Sequence, residues 1–318
     1  MITLSYKAKQ YLLAAAKVLV LAITFGYIYY KMNANPALNF KEFTTAFFSK
    51  GITSSYLLLL FTFLAAANWF FEILKWKTLV SSFETISMRT ALKQSLASLT
   101  VSLATPNRVG EYGAKALFFD PQKRKKILLL NFYSGALQML VTSIFGTVGL
   151  FYFVQKFNIA FSIESILIIG FILLLLLGVA YCFKEKELLL KGFSIAKTVR
   201  FFKTIAAVIK VKAFLFSIVR YTIFNFLFYG LLLFFGAQIN PFEAFPLLFA
   251  MYFLVSILPT LFIFDLIIRG GVAVWVFSYT GIPELVIVST VFTMWLLNFV
   301  LPAFIGSFFV LTYQPTTR

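Results

Sequence analysis

Histidine is absent from this 318-residue chain, and cysteine occurs once, at Cys182. These two absences exclude an internal disulfide framework, a zinc site built on thiolates or imidazoles, and a Ser-His-Asp triad. Charge is scarce as well: 12% of residues are Asp, Glu, Lys or Arg, against roughly 25% in a soluble globular chain. Acids are the rarest, 11 against 28 Lys and Arg, for a net charge of +17. Any bond-making chemistry would have to run on Asp, Glu, Lys, Arg or Tyr. No metal, no cofactor and no enzymatic activity are therefore expected.

What is present is apolar. Hydrophobic residues make up 61% of the chain, Phe alone occurs 42 times, and the mean hydropathy is +0.93. Such a composition points to an all-α, polytopic membrane helix bundle, with Phe on lipid-facing surfaces and Trp and Tyr near the interfaces. In a soluble protein the basic excess would suggest nucleic acid. Here it gathers in two connecting loops, with ten Lys and Arg against three acids over 75–126 and eight against two over 184–212. The lipid bilayer and its anionic head groups are the expected partners, and nucleic acid is not.

Six full spans are expected, at about 12–30, 54–74, 127–154, 163–183, 213–235 and 284–311. The first is too long for a cleaved signal peptide, carries Lys17 and lacks a small-residue cleavage site, so it is expected to be retained. At the close of the second, Trp69, Glu72, Lys75 and Trp76 read as an interface. Arg220 reads as a side chain that snorkels toward the basic side. Gln138, Asn225 and Asn298 read as interhelical hydrogen-bonding groups.

Two further apolar stretches, 87–105 and 242–258, are short for a span. Each is broken by a proline, Pro106 or Pro259, and followed by a second short helix, 111–119 or 261–280. They read as re-entrant pairs, with simple proline kinks as the alternative. In the first pair, Leu92, Leu96, Leu99 and Leu103 form one stripe, and Ser95, Ser98 and Ser102 form a small-residue stripe beside it. The order span, span, broken pair, span thus occurs twice, over about 12–154 and 163–311, within a single integral membrane domain of residues 1–318. Three spans per half would insert the second half upside down, an inverted repeat of the kind transporters use. The positive-inside rule puts the N- and C-termini with the two basic loops on the cytoplasmic face of the cell (inner) membrane.

The segment Thr105-Pro106-Asn107-Arg108-Val109-Gly110-Glu111 is polar and turn-forming, between apolar helices. Thr105 suits a helix cap and Pro106 the first helical position. Free N–H groups at this helix start, with Asn107 and Arg108, would hold the phosphate of a lipid head group. Gly110 allows a ligand or helix to come close, and Glu111 can pair with Arg108 or with Lys115. In the second broken pair, Asp265 precedes Arg269 by four residues, the favourable order for an ion pair. Charges this deep in apolar sequence are functional by default, and the structural alternative is that each pair neutralises itself.

At these residues the chain resembles the transmembrane region of the lysylphosphatidylglycerol synthase family, also described as flippase-like. The motif is Pro106-Asn107-Arg108-Val109-Gly110-Glu111, similar to the family's Pro-x-Arg-x-Gly-Glu. A second match is Leu258-Pro259 followed by Asp265 and Arg269-Gly270, where the family more often has a Gly-rich stretch with a Glu. The resemblance implies binding and translocation of an anionic lipid, a phospholipid or a polyprenyl-phosphate-linked one, with a partner enzyme of lipid or cell-envelope synthesis as a further implied contact. It covers the membrane part only, so lysyl-transferase activity is not expected. The alternatives are a lipid-modifying enzyme with Glu111 or Asp265 as general base, and a membrane scaffold for a glycolipid or cell-envelope pathway.

Overall fold

The computed structural model of the chain describes residues 53–103, 105, 109–159, 194–258 and 265–314, preceded by helical residues 15, 17–19, 22, 23 and 26. The rest of the expected first span, and all of the fourth, lie outside the described residues. Within them the chain is helical throughout and contains no strand. In order come α1 (Thr53–Val80), α2 (Met88–Leu103), α3 (Val109–Leu117), α4 (Arg124–Lys156), α5 (Ile195–Thr204), α6 (Ala207–Phe235), α7 (Pro241–Ile257), α8 (Asp265–Ser278), α9 (Glu284–Trp295), a π turn (Leu296–Val300) and α10 (Leu301–Leu311). Helices α1, α4, α6 and the continuous rod from Glu284 to Leu311 are long and apolar enough to cross a membrane. At ~1.5 Å per residue each exceeds the ~30 Å of a hydrocarbon core. Helices α2, α7 and α8 are shorter, as their sequence predicts.

The helix ends follow local chemistry. Gly236 closes α6 in the left-handed conformation, φ 102°. The Asn240 side chain then accepts from the Phe242 N–H at 2.9 Å and Pro241 opens α7. In the last rod, Pro302 has no N–H to give the Asn298 carbonyl, and the ladder widens: the Leu301 N–H bonds back to Leu296. The freed Asn298 carbonyl accepts from the Trp69 indole N–H at 3.0 Å. At the end of α10, the Lys17 ammonium donates to the carbonyls of Leu311 and Tyr313, at 2.8 and 2.5 Å. The Tyr313 hydroxyl donates to the Leu117 carbonyl at 2.8 Å. The end of α10, the end of α3 and the N-terminal segment therefore meet on the face that carries the first basic loop.

Three sequence expectations change. The second span runs on to Val80, and Lys75 and Trp76, expected at an interface, are buried, at 1% and 0% exposure. Arg220 lies midway along α6, which begins at Ala207, and so does not snorkel to the basic side. The second basic loop contains the amphipathic helix α5, capped by Ser194, whose hydroxyl accepts from the Lys197 N–H at 3.2 Å. Phe202 of α5 packs on Tyr133 of α4, ring centres 4.8 Å apart. Ile195 and Val199 are exposed beside Lys197, Arg200 and Lys203, the composition of a helix lying in a membrane interface.

The long helices pack in pairs. α1 lies against α6, α4 against α7, and α10 against α2, while α3 packs on α4 and α8 on α9. Small residues set the closest approaches. Gly149 of α4 faces the backbone of Pro246 and Ala250 in α7, and Gly306 of α10 faces the Leu96 carbonyl and the Thr100 hydroxyl in α2. Thr100 also donates to the Ala303 carbonyl at 2.9 Å. A Cβ at Gly149 or Gly306 would overlap backbone atoms. Gly149→Val and Gly306→Val are expected to cost about 1–3 kcal/mol and to lower the unfolding temperature in detergent. Gly113→Ala, where a Cβ meets nothing within 4 Å, is expected to leave it unchanged or raised.

Candidate functional site

Between the long helices lies a cavity of about 510 Å³. Along α1, α4 and α6 its wall residues fall between two apolar clusters. On α1 the cavity takes Asn68, Glu72 and Lys75, with Phe61 and Ala65 packed beyond one end and Leu79 and Val80 beyond the other. On α4 it takes Asn131, Ser134 and Gln138, flanked by Ile127 and by Phe153. On α6 it takes Arg220, flanked by Ala213 and by Leu227. The polar wall is thus a band partway along these helices, with apolar residues packed on either side of it.

Its charges form two groups. The Glu72 carboxylate is shared: one oxygen, Oε2, lies 2.8 Å from the Lys75 ammonium and 2.8 Å from Nη1 of Arg220. Arg220 also donates to Gln138 Oε1 at 3.4 Å. In the second group the Lys115 ammonium donates to Glu111 Oε1 at 2.7 Å and to Asn131 Oδ1 at 2.8 Å. It also sits 4.3 Å above the Trp76 ring. The Trp76 indole is held by Gln94 Oε1 at 2.8 Å. Arg269 of α8 reaches the same wall, 5.8 Å from the centre of the Phe299 ring. The described wall thus carries four cations, Lys75, Lys115, Arg220 and Arg269, against two acids, Glu72 and Glu111.

The wall also holds buried polar atoms without a hydrogen-bond partner, among them Asn68 Oδ1, Ser95 Oγ, Tyr221 Oη, Tyr252 Oη and Arg220 Nε. Buried polar groups in native proteins are nearly always hydrogen-bonded, so several in one cavity wall mark a place for a polar occupant. Among the described residues no cluster of three or more His, Cys, Asp or Glu is placed to hold a metal ion.

The sequence-predicted residues divide as follows. Thr105 does serve the start of α3, but from a distance. The described helix begins at Val109, and the Thr105 hydroxyl accepts from the Gly110 N–H at 2.8 Å while donating to the Ser102 carbonyl at 3.0 Å. It stitches the end of α2 to the start of α3. Gly110 is close to α2: a Cβ there would lie 2.9 Å from the Val101 carbonyl. Glu111 pairs with Lys115, one of its two expected partners. Pro106, Asn107, Arg108 and the side chain of Asp265 lie outside the described residues, and so does the expected Asp265–Arg269 pair. Of the three polar groups expected to bridge helices, Gln138 meets Arg220, and Asn298 accepts from Asn68 Nδ2 at 2.8 Å. Asn225 instead donates within its own helix, to Tyr221.

The Glu72–Lys75–Arg220 group was not foreseen as a site. Its sequence signal is a polar stripe, Asn68, Glu72 and Lys75, at helical spacing in an otherwise apolar span. A matching stripe on α4 runs Asn131, Ser134, Gln138 and Thr142.

A protein-family model described as "Lysylphosphatidylglycerol synthase TM region" matches residues 14–306. No curated protein and no solved structure matches the chain.

Lys115 is 1% exposed, and removing its carboxylate leaves a buried cation without its counter-charge. Glu111→Leu is expected to destabilise the protein by about 3 kcal/mol, and Lys115→Leu added to it to recover most of that loss. Thermal unfolding of the single and double variants in detergent checks the pair.

Proposed function

Because the chain belongs to the lysylphosphatidylglycerol synthase transmembrane-region family, we propose that it is a flippase-like membrane protein that binds an anionic lipid and moves it across the bilayer. The observation that carries this reading is the excess of cations in the cavity wall. Each ion held away from water costs several kcal/mol even after relaxation. Around Glu72 two cations, Lys75 and Arg220, share one carboxylate, so an anion entering the cavity completes a charge balance that this group leaves open. Phospholipids and polyprenyl-phosphate-linked lipids both supply that anion. Glu111 is tied to Lys115 and is a poor candidate for a general base, which favours transport over lipid chemistry.

The helix pairings support a two-half architecture of inverted topology. Each half has a long helix, a broken pair and a second long helix. The first long helices, α1 and α6, pack on each other. The broken-pair helix α2 packs on α10 of the other half, and α7 packs likewise on α4. The cavity lies where these contacts converge, the arrangement alternating access requires. We place the basic loops, α5 and the end of α10 on the cytoplasmic side of the cell membrane, where a partner enzyme of lipid or cell-envelope synthesis would supply or consume the lipid.

Reconstituted into vesicles, the protein is expected to accelerate transbilayer movement of fluorescent phosphatidylglycerol, measured by dithionite quenching. A guanidinium–phosphate contact contributes about 1.5–3 kcal/mol, so Arg220→Ala and Arg108→Ala are each expected to slow movement about tenfold or more. Movement at the wild-type rate in both variants, with the fold retained, refutes the assignment.

A further inference from the structure

The two charge groups in the cavity differ in how completely the protein satisfies them. Lys115 is enclosed: Glu111, Asn131 and the Trp76 ring occupy its surroundings, and it is 1% exposed. An ammonium has three donors, and this one gives two to protein oxygens with an aromatic face nearby. It has little left for a ligand. Arg220 is the opposite case. Its side chain is 25% exposed in the cavity wall. Of its five donors, Nη1 is used on Glu72 and Gln138, and Nε is buried with no partner.

Glu72 is placed between two cations of unlike character. A single oxygen, Oε2, contacts both Lys75 and Arg220 at 2.8 Å. Lys75 is one turn along the same helix and fully enclosed, at 1% exposure. Arg220 comes from α6 and faces the cavity. If the contact to Arg220 opens, Glu72 keeps Lys75, and no buried carboxylate is stranded. The guanidinium meanwhile gains a planar pair of donors for a phosphate. The unpaired Ser95 Oγ and Tyr252 Oη lie in the same wall.

We infer that Glu72 is an exchangeable counter-ion: it holds Arg220 while the cavity is empty and is displaced from Arg220 by the phosphate of the lipid, falling back on Lys75. This assigns the phosphate seat to Arg220 and leaves Lys115 a structural cation. It deepens the transport reading and rests on it. Its consequence for transport is that the protein supplies its own competitor for the binding cation, so the lipid phosphate is bound weakly enough to leave again.

The test uses dioctanoylphosphatidylglycerol as ligand and the full chain in detergent, with affinity read by isothermal titration calorimetry and movement read in vesicles. Glu72→Gln removes the competing charge with little change of volume. It is expected to bind the lipid about tenfold more tightly, within the usual range of coupling between two ligands for one site, and to move it more slowly because release is retarded. Glu72→Asp shortens the carboxylate away from Arg220 while leaving it beside Lys75, and is expected to shift affinity the same way. It carries the test if Glu72→Gln does not fold. Glu243→Gln removes an equal charge outside the cavity, where Glu243 pairs with Lys156 at 3.2 Å, and is expected to leave affinity unchanged. Equal or weaker binding by the Glu72 variants, with wild type binding and moving the lipid, overturns the counter-ion while the transport reading stands. Failure of wild type to bind or move the lipid removes both.

Discussion

The structure depends on keeping ionised groups at mid-depth in a helix bundle whose outer surface is hydrocarbon-like. An isolated charge there costs several kcal/mol even after relaxation, a large part of the stability margin of an ordinary domain. Glu72 answers this by forming ion pairs with cations on two helices through one oxygen. Lys115 answers it with a carboxylate, an amide oxygen and an indole face. The apolar clusters on either side of the polar band shield the enclosed Lys75 and Lys115 from water along the helices, so their contacts act in a low dielectric. The same exclusion of water makes the unpaired atoms of the cavity wall costly, and so informative about what the cavity is for.

Charge placement in turn requires close packing. Arg220 can reach Glu72 only because α1 and α6 lie side by side. Asn131 can reach Lys115 only because α3 packs on α4. Without a hydrophobic force between helices in lipid, such contacts come from small residues and a few polar bridges. Gly149, Gly306 and the Thr100–Ala303 hydrogen bond supply them at the α4–α7 and α2–α10 crossings. The glycines carry no chemistry themselves, yet they set the separation at which the charged side chains meet.

Much of the fold was legible in the sequence, because hydropathy and proline are local signals. The last rod ends at the expected residues, α7 starts and stops within a few residues of expectation, and the described parts of α2, α3 and α8 fall within their expected ranges or within two residues of them. Helix α5 was hidden in a loop because its Lys197, Arg200 and Lys203 dominate the composition, although Ile195, Val199 and Phe202 recur at helical spacing. The site was only partly legible. Thr105, Glu111 and Arg269 do reach the cavity, as does Lys115, which the sequence marks only as a partner for Glu111. Glu72, Lys75 and Arg220 were visible as residues but not as a group, since the contact between α1 and α6 is not encoded in the spacing of either helix. A cation in an apolar run has the same local sequence whether it reaches back to the head groups or meets a carboxylate on a distant helix.

The widened turn at Leu296–Val300 divides the last helix mechanically. Residues before it, Ile287 to Trp295, are bedded in the large apolar cluster with α6 and α7, whereas Ala303 and Gly306 after it are seated on α2. The joint has one ladder bond displaced, and the carbonyl it frees is held by the Trp69 indole. Asn298, at the joint, is also a wall residue of the cavity and is tied to Asn68. A lever hinged at its fulcrum by two side chains of α1 would carry any tilt of α2 and α10 directly to the cavity wall and leave the α9 half of the rod in place.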